Sequence, residues 1–179
     1  MIKNKTILVD VDDVTANLMD AWLRLYNIAY DDDLHKADIT DWDLSKFVKP
    51  ECGAKIYQWV STTEIYDMVR PIKHALPAIN ELREYGNRIV FVTASTIGSS
   101  GRKFRWLNDN GFNVFIGDYV EAHDKSLIRG DIMLDDGMHN CESTTATPYL
   151  FAQPWNRKYD FNNRVRNWDG FMCEMGRLC

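Results

Sequence analysis

The chain has 179 residues, 45% of them hydrophobic, which suits one core carrying a small insertion. Its formal net charge of -5 disfavours a nucleic-acid polymer as partner, since that contact needs a basic surface, yet leaves room for a small phosphorylated ligand met by local positive charge. No stretch approaches the roughly 20 apolar residues that cross a bilayer, no signal-peptide pattern opens the chain, and the four cysteines lack a C-x-x-C spacing. A cytoplasmic protein with free thiols and no membrane partner is expected, with assembly as a homodimer left open.

The run Thr6-Ile7-Leu8-Val9 reads as a buried strand, and Asp10, Asp12 and Asp13 follow it at once. Charge at the carboxyl end of such a strand lies where open parallel sheets bind ligands. Extended backbone alternates its side chains, so Asp10 and Asp12 can converge while Val11 turns into packing. Two converging carboxylates can grip a divalent cation and divide nucleophilic from acid/base work.

An amphipathic helix is expected over residues 16–29, where Leu18, Trp22, Leu25 and Ala29 fall near helical spacing. Residues 30–48 carry two acidic runs and are too polar and irregular for a sheet, so they read as cap or loop. A shorter helix over residues 51–60 follows, and Pro71 marks the return to the main body. Beyond it come a helix over residues 74–85, a stop at Gly86-Asn87 and a strand over residues 88–92 ending at Thr93. A second unit places a helix over residues 102–110, a stop at Gly111 and a strand over residues 113–116. A third strand covers residues 131–134 and ends at Asp135-Asp136; residues 149–151 add a last one, and the tail beyond Pro154 reads as loop plus a short closing element. Alternating strands and helices imply a parallel sheet with right-handed crossovers. The expected architecture is therefore α/β, Rossmann-like and three-layered, with a core of residues 1–14 and 71–179 and a small helical cap of residues 15–70 inserted after the first strand.

Strand ends in such a sheet meet along one edge, which would gather Asp10, Asp12, Thr93, Lys125, Asp135 and Asp136 into one pocket. Carboxylates with a hydroxyl and a lysine are what phosphoryl transfer to an enzyme aspartate requires. Each element alone has a bland reading as a solvated turn, an ordinary strand end or a surface lysine. Asp10-x-Asp12-x-Val14, Thr93, Lys125 and Asp135-Asp136 together resemble, in order, the four motifs of the haloacid dehalogenase superfamily of phosphatases.

A narrower resemblance, carried by Phe91-Val92-Thr93, Lys103-Phe104-Arg105-Trp106-Leu107, Lys125, and Leu150-Phe151 before Pro154-Trp155-Asn156, is to the 5'(3')-deoxyribonucleotidases. Ala94 stands where a serine often follows the threonine, and Leu18 where some members place an aromatic residue near the base. The resemblance implies Asp10 as nucleophile and Asp12 as general acid/base. It implies Mg²⁺ held by Asp10, the backbone carbonyl of Asp12 and Asp136, with Asp135 a lesser ligand. Thr93, Ala94 and Lys125 would receive the phosphoryl group, and Leu18 and Trp42 would line the substrate side. A (deoxy)nucleoside monophosphate is the implied small-molecule partner, with a cap that shuts over it. The aromatics Trp42, Phe47, Tyr57, Trp59 and Tyr66 could stack on a base or build the cap's own core. Rival readings are a phosphatase of the same fold acting on another small monoester, and a receiver-type phosphoacceptor, which places its lysine after its acidic residues.

Overall fold

A computed structural model describes residues 1–62, 65–96, 99 and 101–177. Strands β1 (Thr6–Val9), β2 (Arg88–Thr93), β3 (Tyr119–Glu121), β4 (Ile132–Asp135), β5 (Thr147–Phe151) and β6 (Arg164–Val165) form one sheet in the order β3-β2-β1-β4-β5-β6. Every neighbouring pair is parallel. The winding direction reverses between β1 and β4, as in a doubly wound Rossmann-like sheet.

β1 and β4 are buried along almost their whole length because both faces are covered. Ile7, Val9, Ile89, Phe91, Ile132 and Leu134 form one face, and their register is direct: Ile7 sits beside Ile89 and Ile132, Val9 beside Phe91 and Leu134. Helices α3 (Ala75–Glu84), α4 (Arg102–Asp109) and, after the short helix α5 (Met138–Ser143), α6 (Trp168–Arg177) bury Ile79, Leu82, Trp106, Leu107, Trp168 and Phe171 into this same cluster. Leu8, Val90, Val92 and Met133 make a smaller cluster on the alternate positions, closed by Ala146. There the backbone of Gly130 comes so close that an added Cβ would lie 2.6 Å from Leu8 Cγ.

Between β1 and Pro71 the chain forms a helical insert. Helix α1 (Leu18–Tyr30) divides its buried residues: Leu18 and Ala21 join the main core, whereas Met19, Leu23 and Tyr26 join a second cluster with Ile39, Leu44, Val48, Cys52 and Ile56. A 3-10 turn over Gly53–Tyr57 runs into helix α2 (Gln58–Thr62), where one helix was expected. Phe47 and Trp59 pack against the insert's cluster, and Ala16 pairs with Pro71 where the chain rejoins the main body.

Two further expectations need correction. Residues 113–116 form no strand: Asn113 takes φ +50°, the Val114 N–H is taken by Asn108 Oδ1 at 2.9 Å, and Phe115 and Ile116 are more than three-quarters exposed. The strand lies later, at β3. The tail holds both a sixth strand, β6, and the ten-residue helix α6, more than a short closing element. Cys52, Cys141 and Cys173 are free thiols as expected, and Cys179 lies outside the described residues. Among the described residues no helix is long and apolar enough to cross a membrane.

Trp168 is fully buried, sets its ring edge-on to Phe171, and donates its indole N–H to the Val14 carbonyl at 2.8 Å. It pins the C-terminal helix to the acidic loop after β1. Trp168→Ala is expected to lower unfolding stability by about 3–5 kcal/mol through cavity formation and the lost bond, read as a fall in the urea midpoint.

Candidate active site

β1 and β4 are neighbours, so the residues just past their ends are too. Asp10 follows β1, Asp135 ends β4, and Asp136 follows it. One carboxylate oxygen from each of Asp10, Asp135 and Asp136 lies within 4.8 Å of the others, and all three residues are buried. Lys125 reaches into this group, its Nζ 2.7 Å from Asp10 Oδ1 and 2.7 Å from Asp135 Oδ2. The other oxygen of Asp135 accepts from the Gly137 N–H at 2.8 Å and Asn140 Nδ2 at 3.0 Å, so both its oxygens are engaged. Asp136 accepts from Trp155 Nε1 at 2.8 Å, while Asn156 Nδ2 holds the Asp136 carbonyl at 2.9 Å. The Pro154–Asn156 turn thus aims Asp136.

Asp10 is fixed by its own neighbours: its Oδ1 accepts the Val11 N–H at 2.7 Å, and its carbonyl accepts Thr15 Oγ1 at 2.8 Å. Val11 is fully buried, and Asp10 and Asp12 both face one cleft, as the alternation predicts. Asp13, in a left-handed conformation at φ +55°, lines the same cleft and is tied to the insert, accepting Met19 N–H at 3.2 Å and Lys36 Nζ at 2.7 Å.

Asp12 has a separate set of partners. Its Oδ2 lies 2.6 Å from Lys103 Nζ, its Oδ1 accepts the Tyr66 hydroxyl, and the same Lys103 donates to Thr93 Oγ1 at 2.9 Å and to the Ala94 carbonyl. Lys103 and Tyr66 are both buried; the sequence offers Lys103 only as part of a family-like segment and Tyr66 only as an aromatic that could stack on a base, neither as a partner of Asp12. Lys103 sits one residue into α4, in a segment that reads as plain amphipathic helix, and only the tertiary fold shows that its ammonium points at Thr93.

Electrostatics follow from crowding. Burial, opposed by Lys125 and reinforced by Asp135 and Asp12, raises the Asp10 carboxyl to about 7. Burial, then Asp10 and Asp135, holds Asp136 well above the ordinary carboxylate range. Burial alone would lower Lys125, but Asp10 and Asp135 override it and hold the ammonium above the usual lysine value. Three carboxylates and one lysine leave a negative surplus in a buried spot, and hard oxygen donors at this spacing fit a divalent cation.

The cleft above these groups has a volume of about 290 Å³, close to the lower end of the roughly 300–1,000 Å³ usual for small-molecule sites. Asp10, Asp12, Thr93, Ala94, Lys125, Asp136, Leu18 and Trp42 all line it; Asp135 lies beneath, 1% exposed. Trp22, Tyr57 and Val60 of the insert form an apolar wall facing the carboxylates, and Trp42, more than half exposed, sets its ring edge-on to His139. Of the five insert aromatics weighed as base-stacking candidates, Phe47 and Trp59 pack against the second core, Tyr57 and Trp42 face the cleft, and Tyr66 reaches Asp12.

The chain is 30% identical over 169 residues to the 5'(3')-deoxyribonucleotidase of Bacillus subtilis, covering 92% of this chain and 95% of that protein. It is 29% identical over 163 residues to the 5'(3')-deoxyribonucleotidase of Clostridium acetobutylicum, covering 91% and 90%. A HAD-hydrolase from Bacillus subtilis, solved with magnesium bound, superposes with a TM-score of 0.56 at 12% identity, covering 98% of this chain and 100% of that one, and shows the fold to be HAD-like. The family model for the 5' nucleotidase, deoxy (pyrimidine), cytosolic type C proteins matches residues 4–175, and the chain belongs to that family.

Proposed function

We propose that the protein is a Mg²⁺-dependent phosphatase of (deoxy)nucleoside monophosphates, working through an aspartyl-phosphate on Asp10. The observation that carries this reading is the pairing, in one cleft, of the buried Asp10–Asp135–Asp136 cluster with the Asp12–Lys103–Thr93 chain. Family membership and the names of the relatives support the same chemistry.

Asp10 would attack phosphorus, forming a new P–O bond as the ester bond to the nucleoside breaks. Asp12 would give its proton to the departing oxygen, and would then take one from the water that cleaves the aspartyl-phosphate. Thr93, and Lys103 beside it, would meet the equatorial phosphoryl oxygens; Lys125 would hold Asp10 in line and offset its charge. Lys103 thereby shares the role expected of Lys125 alone. The cation would be gripped by Asp10 and Asp136, with the Asp12 carbonyl, and would supply charge neutralisation at the phosphoryl group. Asp135, with both oxygens engaged, would orient Lys125 and the loop bearing Asp136. The apolar wall of Trp22, Tyr57 and Leu18 would take the base, and the exposed ring of Trp42 stands at the mouth.

Phosphate release from a panel of ribo- and deoxyribonucleoside 5'- and 3'-monophosphates, alongside sugar phosphates, tests the substrate class. Nucleotides should lead the panel, and a chelator should abolish turnover; equal or better release from sugar phosphates would refute the assignment. Asp10→Asn should abolish turnover while leaving the circular dichroism spectrum unchanged, because the amide keeps the shape and loses the nucleophile. Lys103→Met should cut kcat by about 100-fold or more through lost charge at the phosphoryl site, measured on the best substrate at saturating Mg²⁺.

The folded state carries Asp10 at about 7 against an ordinary 3.8, and Asp13 at about 6 for the same first cause, burial. A raised carboxyl favours folding while protonated, so its contribution is full below the ordinary value and is lost as pH rises through the folded one. Without divalent cation this contribution to stability should therefore decline from about pH 4 to about pH 7. Because Mg²⁺ binds the deprotonated carboxylates, the rise in Tm it produces should grow from about pH 5 to about pH 8. Thermal melts across that range, with and without Mg²⁺, check both signs.

A further inference from the structure

A second cavity, of about 480 Å³, shares no lining residue with the active-site cleft. Its walls come from three separate places: α1, the segment leading to Pro71, and the outer face of α4. Arg24, Arg70, Arg102 and Arg105 line it, against two acidic residues, Asp67 and Asp109. On α4 the spacing is the cause. Lys103, Trp106 and Leu107 turn inward to the site and the core, which leaves Arg102, Arg105 and Asp109 on the opposite stripe at i, i+3 and i+7.

The guanidinium groups of Arg24, Arg70 and Arg105 are exposed and make no ion pair or side-chain hydrogen bond among the described residues. They line one concavity in a chain whose overall charge is negative. The surroundings that hold them are firm: Trp106 is buried, donates its indole N–H to the Val69 carbonyl at 3.0 Å, and meets the Tyr66 ring edge-on at 6.2 Å. A concentration of planar donors, preset on three elements around one concavity, suits an anion with many oxygens better than a single carboxylate. The two aspartates and the negative net charge oppose a nucleic-acid polymer, which needs an extended basic track.

We propose that this cavity is a binding site for a small oligophosphate, an anion of two or more linked phosphoryl groups, distinct from the catalytic cleft. The assignment stands on the arginine geometry and does not depend on the phosphatase reading.

Isothermal titration calorimetry with sodium tripolyphosphate, and in a second arm with deoxyadenosine triphosphate, tests it in divalent-free buffer containing chelator. Under those conditions the cation that would help hold a phosphoryl group in the catalytic cleft is withheld, so binding there is suppressed. Saturable one-to-one binding is expected in the wild type and equally in Asp10→Asn. The double variant Arg24→Ala/Arg105→Ala should weaken it by about 100-fold, from two lost charge-assisted contacts, with unchanged Tm and unchanged monophosphate turnover. Arg105→Lys, which keeps the charge and loses the fork, should fall between the two and guards against a folding defect. Equal affinity in the two arms assigns recognition to the phosphate chain, tighter nucleotide binding adds the nucleoside to it, and weaker nucleotide binding assigns the site to free polyphosphate. No saturable heat with either ligand, undiminished affinity in the double variant, or loss of binding in Asp10→Asn would overturn the proposal.

Discussion

The buried ammonium of Lys125 is the interaction on which the site depends. It stands 2.7 Å from a carboxylate of each of two adjacent strand ends, Asp10 after β1 and Asp135 at the end of β4. Bringing three carboxylates together away from water is costly unless each finds a partner, and removing a partner from such a group costs far more than the pair contributes. Here the partners are arranged in order. Lys125 binds the first two carboxylates, the Gly137 N–H and Asn140 complete the second, and Trp155 reaches the third. What remains is a negative surplus of the kind a divalent cation meets. The sheet order explains why this happens at one place, since β1 and β4 flank the point where the winding direction reverses.

A second electrostatic chain lies beside the first. Lys103 connects Asp12 on the β1 loop to Thr93 at the end of β2, so the end of the next strand over is joined to the same cleft. The two lysines divide the work by location: one steadies the carboxylates, the other faces the hydroxyl at which a phosphoryl oxygen would arrive. Tyr66 adds a third tie, from the insert to Asp12. Asp12, Thr93 and Asp10 are thus held by groups drawn from both the main body and the insert.

Much of this was legible from residues alone where the chemistry is local. A β-branched run ending abruptly in aspartates can hardly be other than a buried strand with an acidic edge, and both the alternation around Val11 and the order of the later motifs carried over to the structure. What escaped reading was tertiary. Nothing within the α4 segment distinguishes Lys103 from a solvated helical lysine, and nothing near Tyr66 shows which carboxylate its hydroxyl meets. Residues 113–116 misled because Val, Phe and Ile favour strands by propensity, whereas the Asn108 side chain captured the backbone donor a sheet partner would have used. Helix α6 was readable after all: Trp168, Phe171, Met172 and Met175 recur at helical spacing, obscured by the polar residues before them.

Helix α1 has a consequence for how substrate enters. Its Leu18 and Ala21 belong to the main core, its Met19, Leu23 and Tyr26 to the insert's, so a single rigid rod is shared by both. A lid that hinged open as one body would have to drag that rod out of one set of neighbours or the other, exposing apolar surface and leaving a void. An opening that spares α1 would fall to what it does not anchor, the ring of Trp42 and the turns around it. A cap closing over substrate would then do so with both clusters still packed, by narrowing a door-sized aperture.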